Sequence, residues 1–319
     1  MSGVDVERTF GALFLGGLFA TMLTGIVLMQ GYIYYKLYVE DTRRTKLLVL
    51  VVCFLDCCHT TCIWSALWGY LIRHFGDEAF IGYIRWDLAA TVVITALLTI
   101  LVHLFYAHRI FLLSKGNQYI VIPLLLLIIL RFTSATTTTA QMVRLGNFSE
   151  FKHLFRWLFT FGLALSSVID VIITTSMFIL LRTNRSGVAR VNKMIDSLIL
   201  YAFEMGLLTS AGTIASMMLW LVMPTNLIFM GLHFVIAKFY ANSILVSLNT
   251  RHILRQSNGN GTAILFFDAN RQWDATGMSQ SNLDPSGNMI RGDDLLSQIP
   301  KLQVRVVRSI MQEDCSSSA

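Results

Sequence analysis

Seven long runs of apolar residues constrain this chain more than any other feature of its sequence. A helix needs about 20 mostly apolar residues to cross the roughly 30 Å of hydrocarbon in a bilayer, and each run reaches that length. The runs lack period-two alternation, which argues against a closed β-barrel, the other structure able to span a membrane. We therefore predict seven transmembrane helices, at about residues 10–35, 47–71, 88–107, 119–140, 158–181, 197–223 and 225–248.

The composition of the 319 residues excludes a soluble globular protein. Hydrophobic residues make up 55% of the chain, charged residues only 14%, and the mean hydropathy is +0.60. A soluble domain carries about 25% charged residues. Four of the five cysteines lie in the second apolar run, which is not the pattern of a disulfide-rich secreted protein. The predicted fold class is an all-α membrane protein, a seven-transmembrane-helix bundle with a disordered C-terminal tail.

The distribution of basic residues predicts how the bundle is oriented. The first apolar run is uncharged and much longer than the core of a signal peptide, about 7–15 residues, so we interpret it as a retained helix. Twelve Lys and Arg residues flank the spans on one side and six on the other, and cytoplasmic loops carry the excess. Residues 1–9 are therefore expected outside the cell and the C-terminus inside. The net charge of +6 then reflects topology and contact with anionic lipid, not nucleic-acid binding.

The polar ends and loops add three expectations. Residues 249–319 are rich in Ser, Asn, Gly and Asp and contain too little apolar surface to fold, so we predict a mostly disordered cytoplasmic tail. Asn147 opens a glycosylation sequon in a loop predicted to be outside, whereas the sequons at Asn184 and Asn260 are predicted inside and unmodified. The chain closes in Ser-Ser-Ser-Ala without a retention signal, so we expect the plasma membrane.

Ionisable residues occur within most of the predicted spans, where a charge costs several kcal/mol unless it is paired or hydrated. Three acids and two bases at similar depth indicate an ion-paired core between the helices. Such a core could line a cavity, hold a ligand or ion, relay protons, or serve only as a structural clasp, which is the commoner role. The candidate site consists of Asp56, His59, Asp170, Glu204, Lys238 and Asn242, with Arg131, His103 and His233 as additional candidates.

Helical spacing and depth suggest how these residues meet. Asp56 and His59 are three positions apart and share a helical face. If Asp56 faced Tyr240, Asn242 and Ser243 of the seventh span, the arrangement would resemble a sodium site. A receptor of the G-protein-coupled type shares this topology, but its acid-Arg-Tyr and Asn-Pro-x-x-Tyr motifs are missing from the sequence.

Lys238 lies midway along the seventh span, where rhodopsins carry their retinal Schiff base. Phe234 stands one turn before it, in place of an acid. We therefore expect a salt bridge from Lys238 to Asp56 or Asp170 and predict no bound cofactor.

Neither metal binding nor catalysis finds support in the sequence. Four cysteines near Asp56 and His59 superficially resemble a metal cluster, but one helix cannot place four ligands tetrahedrally around zinc, so no metal is expected. The chain contains no Ser-His-Asp constellation, no phosphate-binding glycine loop and no HExxH motif, and we predict that it is not an enzyme. These cysteines are Cys53, Cys57, Cys58 and Cys62.

Three functions remain open for such a bundle. The leading hypothesis is a receptor-like or sensor protein with a polar intramembrane core. The alternatives are a small-solute or proton transporter that uses the same residues, and a non-catalytic membrane scaffold. The expected partners are the lipid bilayer and a cytoplasmic protein that binds the basic loops and the tail; the ligand is not specified by the sequence.

Several segments resemble a known family. The clearest are DSLILYAFEMGLLTS at residues 196–210, MPTN at 223–226 and KFYANSILVSLNTR at 238–251, accompanied by QGYIYY at 30–35, DCCH at 56–59, FYAHRI at 105–110 and Asp170. Together they resemble seven-span fungal membrane proteins, abundant in mushroom-forming fungi, that carry a C-terminal domain of unknown function. The resemblance covers about residues 10–251 and implies the architecture, but no activity or ligand. Arg131 and the cysteine cluster depart from the family pattern.

Overall fold

A computed structural model describes residues 6–75, 77, 80, 82–183, 189–223 and 227–256. All of them belong to one compact unit, Met1–Phe267. Within these ranges the chain is helical apart from short connections and an isolated β-bridge between Tyr83 and Asn147. The predicted disordered tail lies almost wholly outside the described residues. The helices are α1 (Val6–Leu37), α2 (Arg43–Trp68), which continues as a π-helical turn (Gly69–Arg73), α3 (Trp86–Leu113), α4 (Gln118–Leu145), α5 (Phe148–Thr183), α6 (Ala189–Val222) and α7 (Ile228–Gln256).

Six of these helices are long and apolar enough to cross a bilayer, which confirms the prediction of a multi-pass helical membrane protein. The exception is α6, of which Gly206–Val222 forms a shorter apolar stretch among the residues searched. Large apolar side chains point outward from the bundle, as Phe19 and Met22 on α1 and Leu126 on α4 do. In lipid such exposure is favourable, so the outer surface is matched to hydrocarbon and polar side chains can collect inside.

The start of α5 differs from the predicted span. The apolar run begins at residue 158, but the helix begins at Phe148. Asn147 caps this start, because its Oδ1 accepts hydrogen bonds from the backbone N–H groups of Ser149 (2.8 Å) and Glu150 (3.4 Å). Phe155 has non-helical backbone angles (φ −123°, ψ 18°). The first part of α5 is therefore a capped segment with buried Phe148 and Phe151 among polar residues, joined by a kink to the apolar segment.

The centre of the bundle is α7, which contains several fully buried side chains, among them Phe234 and Ile244. Helices α1 and α7 run parallel, since Gly16 contacts Gly231 near one end and Gln30 contacts Asn249 near the other. At the glycine pair the backbones touch, because a Cβ atom on either glycine would overlap the opposite helix. Small residues allow such close approach in membranes. This contact fixes the position of α7 against α1.

Small residues also join α6 to its neighbours. A Cβ on Gly206 would overlap the Thr174 side chain of α5. Near the other end of α6, the hydroxyl of Ser216 donates to the carbonyl of Phe229 on α7 (3.2 Å). In the part of α6 whose side chains are described, these contacts are close but contain no ion pair.

Candidate functional site: two buried carboxylates

The first polar centre joins α2 to α7. The Nζ of Lys238 lies 2.9 Å from Oδ1 of Asp56, and both side chains are fully buried. The same Nζ also donates to the carbonyl oxygen of Asp56 (3.0 Å) and to Oγ1 of Thr60 (2.7 Å). Of the two salt bridges considered for Lys238, the structure therefore has the one to Asp56. We call Asp56, Thr60 and Lys238 the α2–α7 clasp.

The clasp is closed around its ammonium group. An ammonium has three N–H donors, and Lys238 has three acceptors, so its hydrogen-bonding capacity is used within the clasp. Thr60 extends the contacts to α1 through a hydroxyl–hydroxyl hydrogen bond to Thr24 (2.8 Å). Breaking a buried pair by removing one partner costs about 3–5 kcal/mol. The clasp thus ties three helices together.

The second polar centre joins α3, α5 and α7. The Nε2 of His103 lies 3.0 Å from Oδ1 of Asp170, and the hydroxyl of Tyr240 donates to Oδ2 of Asp170 (2.6 Å). Ser166 on α5 shares a hydrogen bond with the same Tyr240 hydroxyl (3.0 Å). No Lys or Arg among the described residues pairs directly with this carboxylate. We call Asp170, His103, Tyr240 and Ser166 the Asp170 centre.

A small cavity adjoins the Asp170 centre. Its volume is about 30 Å³, enough for one or two water-sized species. It is bounded by α3, α5, α6 and α7. One part of its wall is formed by Gly206 and the apolar side chains of Val102, Ile173 and Met177. The rest is formed by Asp170, His103 and Tyr240, together with four hydroxyl-bearing residues of the same helices. These are Tyr106, Thr174, Thr209 and Ser243. A carboxylate beside a space of this size can hold a water, a proton carrier or a small ion, but no organic ligand.

Three further candidates are buried near these centres without completing either of them. The ring nitrogens of His233 and the Nε of Arg131 have no hydrogen-bond partner. His59 contacts Thr95 through Nε2 (3.2 Å), while its Nδ1 has no partner. Electrostatically, His59 neighbours Lys238 and His233, His233 neighbours Arg131, and Arg131 neighbours Asp170. These buried basic groups therefore lie in electrostatic range of one another and of the two centres, but no hydrogen bond among the described residues joins them into a chain.

Two predicted members lie apart from both centres. Glu204 is exposed on α6, beside the exposed side chains of Phe203 and Leu207. Asn242 is half-buried and its Oδ1 has no partner. The predicted single core is thus two centres, because α7 places Lys238 and Tyr240 toward different neighbours and α6 turns Glu204 outward. The Tyr240 hydroxyl donates a hydrogen bond to Asp170 and not to Asp56, so the arrangement around Asp56 that would resemble a sodium site is not formed.

Another buried carboxylate, Asp87, lies in the first turn of α3, and it is not among the residues predicted to form the polar core. Asp87 accepts from the guanidinium of Arg85 (2.7 Å to NH2) and from the hydroxyl of Ser65 (2.8 Å). The hydrogen bond to Asp87 raises the pKa of Arg85 above its usual value. Gly69 leaves room for this guanidinium, since a Cβ there would overlap it. In the sequence this pair is marked by the triplet Arg85-Trp86-Asp87, just before the third predicted span.

The remaining predicted features have clear locations. Cys53, Cys57, Cys58 and Cys62 are half-buried free thiols along one helix. Across the part of the chain that the structure describes, no three His, Cys, Asp or Glu side chains are placed to hold a metal ion. Asn147 is exposed, as a glycosylation acceptor must be, and its modification stays a prediction.

Comparison with known proteins identifies a domain but no activity. A model of a family of unknown function (DUF6534) matches residues 166–253. The matched stretch contains Asp170, Lys238 and Tyr240, while Asp56 and His103 lie before it. The chain matches no curated protein and no solved structure.

Proposed function

We propose that the protein is a receptor-like membrane sensor with seven spans, whose ligand site is the cavity beside Asp170. The observation that carries this proposal is a buried carboxylate, bound by His103 and Tyr240, that lines a cavity between four helices. A species that enters the cavity changes the charge balance where α3, α5, α6 and α7 meet. Its binding free energy can therefore shift the packing of these helices.

The unequal attachment of the helices supports a sensor. The α2–α7 clasp fixes α1, α2 and α7 by an ion pair and its hydrogen bonds. The described side chains of α6 make hydroxyl contacts such as the 2.8 Å hydrogen bond between Thr213 and Ser167, and near its end Trp220 donates to the carbonyl of Arg156 (3.4 Å), without an ion pair among these residues. Hydroxyl contacts exchange more readily than a buried ion pair. Helix α6 is thus the element that a ligand beside Asp170 would move.

The course of the helices supports seven spans with the C-terminus inside. Because α1 and α7 are parallel, an odd number of crossings should connect them. If α2, α3, α4 and α5 each cross once, this supports a crossing by α6 as well. Its contacts with α5 extend from Gly206 beside Thr174 to the carbonyl of Leu221, which accepts from Arg156. The excess of Lys and Arg then supports a position of the loop between α1 and α2 on the cytoplasmic side of the membrane, which we take to be the plasma membrane. The matched domain at residues 166–253 and the resemblance of the remaining segments support membership of the whole bundle in the fungal seven-span family.

The sensor proposal is tested with a fluorescent label on α6. Phe203→Cys, in a protein whose native cysteines are replaced by serine, is labelled with bimane and reconstituted in lipid nanodiscs. Asp170→Asn imitates a neutralised carboxylate and should shift the bimane emission, because α6 repacks. Glu150→Gln, which neutralises an exposed carboxylate of the same helix, should leave the emission unchanged. Identical spectra for Asp170→Asn and its parent would contradict the proposal.

A proton transporter is the second candidate, favoured by the series His59, His233 and Arg131 between the two centres. Liposomes containing the protein and a trapped pH-sensitive dye distinguish it from a sensor under a potassium diffusion potential. A sensor gives the same proton flux as protein-free liposomes. A flux that disappears in Asp170→Asn would establish transport instead.

A further inference from the structure

We propose that the cavity beside Asp170 binds a single sodium ion, held by the Asp170 carboxylate and by hydroxyl oxygens of the surrounding helices. This inference rests on the proposed function in one respect, that the same cavity is the ligand site, and it names the ligand.

The charge of the site favours a monovalent cation. Asp170 is the only acidic side chain that lines the cavity among the described residues. The imidazole of His103 lies beside this carboxylate, with its Nε2 3.0 Å from Oδ1 of Asp170, and its Nδ1 has no hydrogen-bond partner. One carboxylate matches one monovalent charge, whereas calcium sites supply several carboxylates and carbonyls.

The hydroxyl groups favour a cation over an anion. Tyr106 donates its proton to the carbonyl of Ser243 (3.2 Å), Ser243 donates to the carbonyl of Tyr240 (2.8 Å), and Tyr240 donates to Asp170. Thr209 donates to the carbonyl of Gly206 (3.1 Å). Each hydroxyl has one proton and two lone pairs, so the oxygens of Tyr106, Ser243 and Tyr240, whose protons are donated, can offer only lone pairs to an occupant. Oxygen lone pairs beside a carboxylate are the ligands that hard cations prefer.

The size of the cavity selects a small ion. A volume of about 30 Å³ admits one or two water-sized species, which fits a partly dehydrated sodium ion with at most one water. A potassium ion is larger and needs longer oxygen distances. Arg131 lies in electrostatic range of Asp170, and it does not line the cavity.

The test is the thermal stability of the purified full-length protein in detergent at constant ionic strength. Replacing 150 mM choline chloride with sodium chloride should raise Tm by about 2–4 °C and saturate with concentration, because only the folded state binds the ion. Potassium chloride should give less than half of that shift. Asp170→Asn should abolish the sodium shift, and Glu204→Gln, which removes an exposed carboxylate, should keep it.

A second variant protects the test if Asp170→Asn fails to fold. Thr209→Val keeps the shape of the side chain but removes its oxygen. It should raise the sodium concentration that gives half of the maximal Tm shift at least threefold. Equal Tm values in choline and sodium, an equal shift with potassium, or an unchanged shift in Thr209→Val would each overturn the sodium site.

The two proposals fail separately. If Tm depends on sodium but Asp170→Asn leaves the emission of the α6 label unchanged, the ion site is supported and the sensor is rejected. An α6 label that responds to Asp170→Asn, with no sodium-dependent Tm, would keep the sensor and reject sodium as its ligand.

Discussion

At the scale of single residues, two buried aspartates differ because of what faces them. Asp56 meets an ammonium group at 2.9 Å in the clasp, so its charge is neutralised on contact. Asp170 meets an imidazole and a phenol, and no ammonium or guanidinium among the described residues touches it. A carboxylate paired with an ammonium group is a structural contact, whereas the carboxylate that no described lysine or arginine touches is the one that we propose attracts a cation. The same residue type therefore serves stability at one site and, as we propose, binding at the other.

The clasp predicts a strongly non-additive pair of substitutions. Lys238→Met leaves the Asp56 carboxylate buried without its counter-charge and should lower the stability by about 3–5 kcal/mol. The double variant Asp56→Leu/Lys238→Met removes both charges and should recover most of this loss. Thermal melting in detergent measures both variants. A double variant as unstable as the sum of the single ones would show that the pair is not coupled.

Tyr240 offers a milder test of the Asp170 centre. Tyr240→Phe removes the hydroxyl that donates to Asp170 and shares a bond with Ser166, which leaves the buried carboxylate without that donor and the Ser166 hydroxyl without that acceptor. The expected loss is about 1–3 kcal/mol, measured as a lower Tm. Tyr32→Phe is the matched control, because Tyr32 is 61% exposed on α1. Equal effects of the two substitutions would contradict the assigned role.

At the scale of helices, contact between backbones decides where α7 lies. The closest approach is between Gly16 and Gly231, and the polar contacts of Asn249 hold the other end of α7 against α1. Van der Waals packing dominates helix association in lipid, since apolar side chains gain little by leaving a hydrocarbon solvent. The glycine pair is therefore the main packing contact between these two helices.

Gly231→Ala should weaken this contact. The added methyl group meets the Ala12 carbonyl of α1, and the overpacking should cost about 1–3 kcal/mol. Gly25→Ala adds the same group to α1 where no atom lies within 4 Å, so it should be neutral or slightly stabilising. Melting curves of the two variants compare the sites directly. A neutral Gly231→Ala would mean that α1 and α7 are farther apart.

At the scale of the whole molecule, the orientation predicts which sequon is modified. Asn147 is exposed at the start of α5, on the side that has fewer basic residues. Expression in a eukaryotic cell should give a glycosylated protein whose gel mobility changes on deglycosylation. Asn147→Gln should abolish the change, and Asn184→Gln and Asn260→Gln should not. Modification at Asn184 or Asn260 would reverse the assigned orientation.

The sequence determined those properties that depend on one helix at a time. The length and apolarity of each run require helices in lipid, since an unpaired backbone is too costly there. Burial of ionisable side chains also followed, because Asp56, Asp170 and Lys238 would otherwise face hydrocarbon. The helical start at Phe148 was missed because it depends on the Asn147 cap and not on apolarity.

Only the tertiary structure decided which polar groups meet. Lys238 and Tyr240 are two positions apart, so they point in different directions from α7, one toward α2 and the other toward α5. Glu204 lies at a similar depth but faces outward. The rotation of each helix about its axis depends on contacts between distant segments, such as Gly16 with Gly231. The sequence of a membrane helix does not specify this rotation, because the helix is apolar on all sides and no periodic pattern marks its inward face.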